Sequence, residues 1–470
     1  MKRTQLLVVG GGPAGLAAAA LAAQRGVETM LVDEQPRPGG QIYRSGGFTS
    51  STLDRLLGES RRHGAELVTA FEHSGAVYRP RTSVWHLDPD GEAGLLVRDA
   101  QGAGASETIR AERIVLATGA MERPVAFAGW TLPGVMNAGA AQILLKSSAL
   151  VPEGRVVLAG SGPLLLLVAT QILEAGGRIA ALLETAPRNM NAAALRRLPR
   201  AGRGWREIAR GIGFYRYLQR RGVPVHFDVD GLVAEGTGAL GAVCWQSGGV
   251  THRLPADLLL VHFGVIPVTH ATRAIGADHV WDQAQQAWRP RLDEFGATSV
   301  SRYAVAGDAG GIGGAQAAEV SGRLVALDAA ARLGPMSRDE RDRLAAPLHK
   351  KWNAATAVRP LLDALYPPPA FAADPADDIV VCRCEGVTAA RIREAARRGC
   401  TGPNQLKAFT RCGMGPCQGR QCGPVVQALI AAVHGRPIET IPPMRVRPPL
   451  RALSVGDLAR IARADSDEAY

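Results

Sequence analysis

Aromatic residues make up only 5% of the 470-residue chain, too few for base-stacking platforms. Its formal charge of +11 therefore does not point to nucleic acid. The basic residues are mostly scattered arginines. The densest run, Arg196, Arg197, Arg200, Arg203, Arg206 and Arg210, reads as a solvated helix face, or as a docking face for an acidic partner. Long apolar runs are missing too. The longest, Leu164 to Val168, passes into Thr170, Gln171 and Glu174, well short of the roughly 20 residues that span a bilayer. Lys2-Arg3 leads at once into Leu6-Leu7-Val8-Val9-Gly10, too short a run for a secretory leader and better suited to a first strand. A cytoplasmic protein is expected, with at most peripheral membrane contact. A C-x-x-C dithiol is absent: Cys244 has no neighbouring partner and reads as a small buried hydrophobe. His262 and His270 read as satisfied core histidines, and no residue stands out as a general base.

The cysteines that are present are concentrated. Six of the seven are Cys382, Cys384, Cys400, Cys412, Cys417 and Cys422. Thiolates are soft ligands that select zinc or iron-sulfur clusters, and a C-x-C pair closed by a later pair supplies the four ligands that either needs. A reducing compartment suits such clustered thiols better than one that pairs them as disulfides.

Residues 5–34 follow the order strand, glycine turn, Ala-rich helix, strand, which opens a Rossmann unit. Gly10-Gly11-Gly12-Pro13-Ala14-Gly15 fits G-x-G-x-x-G in that context. The first glycine allows a tight turn, the second lets backbone approach a pyrophosphate at the helix N-terminus, and the third lets helix pack on strand. Glu34 ends the next strand and would accept from a ribose, with Asp33 as the fallback. A second strand-turn-helix opening begins near residue 151 with Gly160-Ser161-Gly162-Pro163-Leu164-Leu165. Leu165 replaces the third glycine there and would hold helix away from strand. A vestigial or other adenine-nucleotide site is expected at this second unit rather than a working NAD(P)H site, although Glu184 could still meet a ribose.

The string from Glu34 through Gly39-Gly40-Gln41 resembles the Gly-Gly turn of the two-dinucleotide-binding flavoproteins. Ala117-Thr118-Gly119 and Val305-Ala306-Gly307-Asp308 resemble that family's later fingerprints. The resemblance implies FAD, with Asp308 on the ribityl chain and the helix beginning around Gly314-Ala315-Gln316 directed at the flavin ring. Cys384 and Cys417 are separated by about 32 residues, which resembles bacterioferritin-associated-ferredoxin-like [2Fe-2S] domains. That likeness assigns Cys382, Cys384, Cys417 and Cys422 as ligands. It leaves Cys412 as a bystander that could replace one of them, and Cys400 in the core. The closing pair here is C-x4-C rather than the usual C-x2-C, and zinc on the same residues is the alternative.

The expected fold class is α/β: a flavoprotein of two nested Rossmann-like units followed by a small helical [2Fe-2S] domain. The boundaries read as 1–150 and 255–335 for FAD binding and 151–254 for the second unit. A helical segment with a Pro-rich linker follows at 336–375, then the cluster domain at 376–435 and an extended tail at 436–470.

Strings such as Asp33 through Arg44, Glu122-Arg123-Pro124, Gly129 through Val135 and Thr410 through Arg420 resemble one family over nearly the full length. It comprises the FAD and [2Fe-2S] α subunits of multi-subunit bacterial amino-acid and opine dehydrogenases, including D-hydroxyproline dehydrogenase, octopine and nopaline oxidases and hydrogen cyanide synthase. The resemblance implies two partners: a catalytic β flavoprotein similar to D-amino-acid or sarcosine oxidases, and a small ferredoxin-like subunit. Electrons would leave this chain for a quinone or another acceptor. Two other readings stay open: a self-contained NAD(P)H-dependent flavin and iron-sulfur reductase, and a non-catalytic iron-handling protein.

Overall fold

The computed structural model describes residues 2–44, 51–189 and 192–466. Strand Lys2–Val9 lies between Thr29–Val32 and Gly104–Leu116, parallel to both, and Tyr303–Val305 adds to the far side of Gly104–Leu116. Both faces are covered, so Leu6, Leu7 and Val8 are fully buried in sequence rather than in alternation. Helix Pro13–Gln24 is nearly all alanine and glycine on its buried side. Its small side chains let helix Ala315–Arg332 close on it at Gly322, where a Cβ would stand 2.1 Å from the Ala14 carbonyl oxygen. This contact fixes the ends of two helices beside one glycine turn.

A second parallel sheet has the order Val225–His226, Ile179–Glu184, Val156–Ser161, Leu258–Phe263, Val135–Asn137. Its membership differs from the expected boundaries. Leu258–Phe263 pairs with Val156–Ser161 rather than returning to the first sheet, and Val135–Asn137 joins it from before residue 151. An apolar strand shows its burial in sequence but not its neighbour, so the sequence alone places the crossing too early. The actual crossing is the two-stranded ribbon of Ala120–Glu122 with Val265–Pro267.

Helices Ala389–Arg397, Pro403–Thr410 and Gly423–Val433 enclose a separate core beside the strand pair Val380–Cys382 and Val387–Thr388. Cys400 is in that core, as expected. The module is docked rather than tethered. Ala126 contributes to its core, and the Trp130 indole N–H donates to the Val380 carbonyl at 2.7 Å. The expected extended tail is partly helical, with Val455–Ser466. Before that helix it bridges both parts: Arg420 and Gln418 donate to the carbonyls of Leu450 and Pro449, and Arg451 pairs with Glu34.

Candidate functional site: a nucleotide cradle and a thiol cluster

The glycine turn after Val9 has the geometry its spacing predicts. Gly10 has φ +107°, and a Cβ on Gly15 would stand 1.8 Å from the Gly10 carbonyl oxygen, so only glycine permits this helix-strand approach. Pro13 and Ala14 begin the helix, and its first turn contains no acidic residue. The Gly39 N–H donates to the Gly11 carbonyl at 2.8 Å, and Gly40 lies against Gly12. The two turns thus form one wall. Around them the backbone is open: a Cβ on Gly12 would meet only Gly40 at 3.8 Å, and at Gly119 or Gly314 it would meet nothing within 4 Å. These bare segments, with the N-terminus of helix Ala315–Arg332 beside them, make a cradle that fits a dinucleotide pyrophosphate.

The acidic residues divide their roles. Asp33 is buried, and its carboxylate accepts from the backbone N–H groups of Gly11 and Gln35. Burial raises its pKa against those bonds. It is committed to holding the turn, which removes it as the fallback ribose acceptor. Glu34 stands outward and carries Arg451 on both oxygens, at 2.6 and 2.8 Å. Asp308 Oδ1 accepts from Gly313 and Gly314 at 2.9 and 3.0 Å, fixing the approach to Ala315 and the exposed Gln316. Thr118 donates to the Val268 carbonyl, and Val268 N–H returns to Gly119. Lys146 anchors the loop beyond Gly40, donating to the Gln41 and Ile42 carbonyls and to Gln142. Burial lowers its pKa to about 8.

Five cysteines meet in the C-terminal module. The Sγ atoms of Cys382, Cys412 and Cys422 lie within 4.8 Å of one another, all buried. Cys384, exposed on the turn after Cys382, lies against Cys417. The Cys382 thiol is held far below the usual range because Cys412 and Cys422 donate to it, and both of those are pushed up. Three packed thiols cannot all ionise unless a cation replaces the protons, so the donor set suits a soft metal centre. Gly413 N–H also points at Cys382 Sγ, at 3.5 Å, as expected where backbone amides tune a sulfur-ligated centre. Cys412 is therefore no remote bystander. Arg411 ends helix Pro403–Thr410 in the left-handed conformation, φ +62°, and swings the next residue inward. Counting intervals along the chain could not show that turn.

The remaining residues are quieter. His262 Nδ1 meets Glu122 at 2.7 Å, and His270 Nε2 meets the Gln418 carbonyl at 3.3 Å. Burial, with Arg420 and Arg273 nearby, lowers the His270 pKa to about 3, so Nε2 carries the proton and donates. Cys244 is half-buried beside Glu235 rather than a core residue. In the arginine run, Arg196 and Arg197 lie between helices Ala192–Leu195 and Leu198–Ala201, and Arg206 and Arg210 lie in helix Trp205–Arg220. The side chains of its Arg200 and Arg203 lie outside the described residues.

In the second unit both Leu165 and the expected ribose acceptor Glu184 are enclosed. Leu165 is fully buried against its sheet. Glu184 is wholly inaccessible, accepting from Ala186 N–H at 3.0 Å and from the Tyr215 hydroxyl at 2.9 Å. Burial pushes its carboxyl up to about 7, against those two hydrogen bonds. A raised carboxyl stabilises the fold fully below its unfolded value of 4.5, and that stability is lost as pH rises through about 7. The shift corresponds to on the order of 3 kcal/mol. Wild type should therefore lose thermal stability between pH 5 and 8 relative to Glu184→Gln, measured as the difference in Tm. An unchanged difference would remove Glu184 as the titrating group.

Comparison with known proteins agrees with this geometry. Residues 4–322 match the pyridine nucleotide-disulphide oxidoreductase family, and residues 380–432 match the BFD-like [2Fe-2S] binding domain. The chain is 41% identical to an opine oxidase subunit of Rhizobium meliloti over 96% of its length and 98% of that protein. It is 32% identical to hydrogen cyanide synthase subunit HcnB of Pseudomonas protegens, covering 88% of this chain and 89% of that one. L-proline dehydrogenase from P. horikoshii shares the fold, with TM-score 0.69 and 21% identity over 97% of this chain and 80% of that structure. No helix among the described residues is long and apolar enough to cross a membrane. The chain belongs to the pyridine nucleotide-disulphide oxidoreductase family, in the group of these opine oxidase subunits and HcnB, and is an oxidoreductase subunit that uses FAD and a [2Fe-2S] cluster.

Proposed function

We propose that this chain is the electron-transfer subunit of a heteromeric amino-acid or opine dehydrogenase, of the D-amino-acid or hydroxyproline type. A β flavoprotein similar to D-amino-acid or sarcosine oxidases would oxidise the substrate C–N bond. This chain would pass the electrons to a quinone or another acceptor, and a small ferredoxin-like subunit would be a further partner in the cytoplasm. FAD exchanges electrons in pairs or singly and a [2Fe-2S] cluster takes them one at a time, so the two cofactors together convert a paired transfer into single steps.

The observation that carries this reading is the joining of cradle and cluster module through His270 and the tail. Gly10, Gly12, Pro13, Ala14, Gly15, Gly39, Gly40, Gln41, Thr118, Gly119 and Gly307 would line the FAD. Glu34 would accept from its ribose, Asp308 would orient the ribityl chain, and the backbone at Ala315 and Gln316 would face the ring. Asp33 would support the turn.

Cys382, Cys384, Cys417 and Cys422 would hold the cluster. Cys382 lies against both Cys412 and Cys422, and Cys384 lies against Cys417. Cys412 would stand beside them as a fifth thiol. Rapid mixing of the flavin-loaded chain with NADH or NADPH tests the electron source. The flavin band should persist on the mixing timescale, and rapid bleaching would favour a self-contained reductase instead.

A further inference from the structure

We infer that Tyr366 and Tyr215 are specificity-determining residues that close the second dinucleotide groove, so that this chain cannot take a nicotinamide or other adenine dinucleotide there. The inference deepens the electron-transfer reading above and rests on a different set of contacts. In an open parallel sheet a dinucleotide lies across the carboxyl ends of the first two strands. Its pyrophosphate sits on the glycine turn and its ribose on the acidic residue ending the second strand. Here those two points are Gly162 and Glu184.

Each is occupied by a phenol. A Cβ on Gly162, whose φ is +101°, would point at the Tyr366 ring, 4.0 Å from its Cγ. The Tyr366 phenol lies next to that of Tyr215, whose hydroxyl donates to the Glu184 carboxylate at 2.9 Å. The line Glu184–Tyr215–Tyr366 thus follows the path that ribose and pyrophosphate would take.

The plug is held in place from both sides. Tyr366 caps helix Arg359–Leu365, in which Leu361 packs with Val358, Ala194 and Ala201. It leads through Pro367-Pro368-Pro369 to Phe371, which meets Phe263 edge-on at 5.7 Å. Proline restricts the backbone of this stretch. Entry of a dinucleotide requires removal of both the ring and the carboxylate's partner.

Equilibrium titration of the flavin- and cluster-loaded chain with ADP-ribose, NADH and NADPH tests this through binding rather than reduction. Wild type should bind none of them below about 1 mM. Tyr366→Ala together with Tyr215→Phe should tighten ADP-ribose binding by at least about tenfold, with Tyr366→Ala alone giving a smaller gain. Micromolar binding by wild type overturns the inference. So does a double variant that keeps its flavin band and wild-type Tm yet gains no binding. If the double variant does not fold, the wild-type titration alone decides. Wild-type binding without flavin bleaching would sink the plug and leave the electron-transfer reading standing.

Discussion

Cys382→Ser is expected to lower the iron content of the purified chain by more than about tenfold while leaving its FAD content unchanged. Removing a group that merely orients a ligand costs about 10- to 100-fold in metal affinity, and a lost ligand should cost at least that. Cys382 is the thiol through which the two halves of the site communicate. It sits at the end of a strand, receives the thiols of Cys412 and Cys422, and accepts from Gly413 N–H. A serine hydroxyl is a harder and less acidic donor that does not replace a thiolate. Iron and acid-labile sulfide analysis, together with the visible bands, reads the outcome. Cys412→Ser separates the ligand sets: retention of iron keeps Cys382, Cys384, Cys417 and Cys422, whereas loss of iron in this variant with retention in Cys384→Ser would bring Cys412 into the set.

Gly15→Ala should abolish FAD binding and destabilise the first unit by about 3 kcal/mol or more. The added methyl would stand 1.8 Å from the Gly10 carbonyl oxygen and 3.3 Å from Ala117 Cβ. The obstacle is backbone, which cannot rotate away. Helix Pro13–Gln24 would have to lift, opening its contact with Gly322 and misplacing the helix end that faces the pyrophosphate. The purified variant should lack the flavin spectrum and melt earlier than wild type. A yellow variant with wild-type Tm would show that the close approach is not required.

The glycine cradle is legible in the sequence because its requirement is local. A turn between a strand and a helix needs glycine at fixed offsets, and Gly10, Gly12 and Gly15 declare it. The thiols are legible as a group because soft ligands are scarce elsewhere in the chain. Contacts that depend on distant segments are not legible. Nothing near Cys412 announces the left-handed Arg411 that turns it inward. Tyr366 carries no sign that it faces Gly162, some 200 residues earlier, although the following run of prolines marks a stiff segment. Glu34 pairs with Arg451 across 417 positions, and the strand Leu258–Phe263 reads as part of the wrong sheet because burial alone does not name a neighbour.

In the proposed path, electrons enter this chain from an amine-oxidising flavoprotein and leave through its cluster. Rapid mixing of the intact complex, purified through a tag on this chain, tests it most directly. One arm uses D-amino acids, hydroxyproline and opines, the other NADH and NADPH, with flavin absorbance and the cluster's electron paramagnetic resonance signal followed together. An amine donor should bleach flavin and then reduce the cluster, and neither nicotinamide should do so. Rapid reduction of flavin and cluster by NADH or NADPH, with no response to any amine, would contradict it.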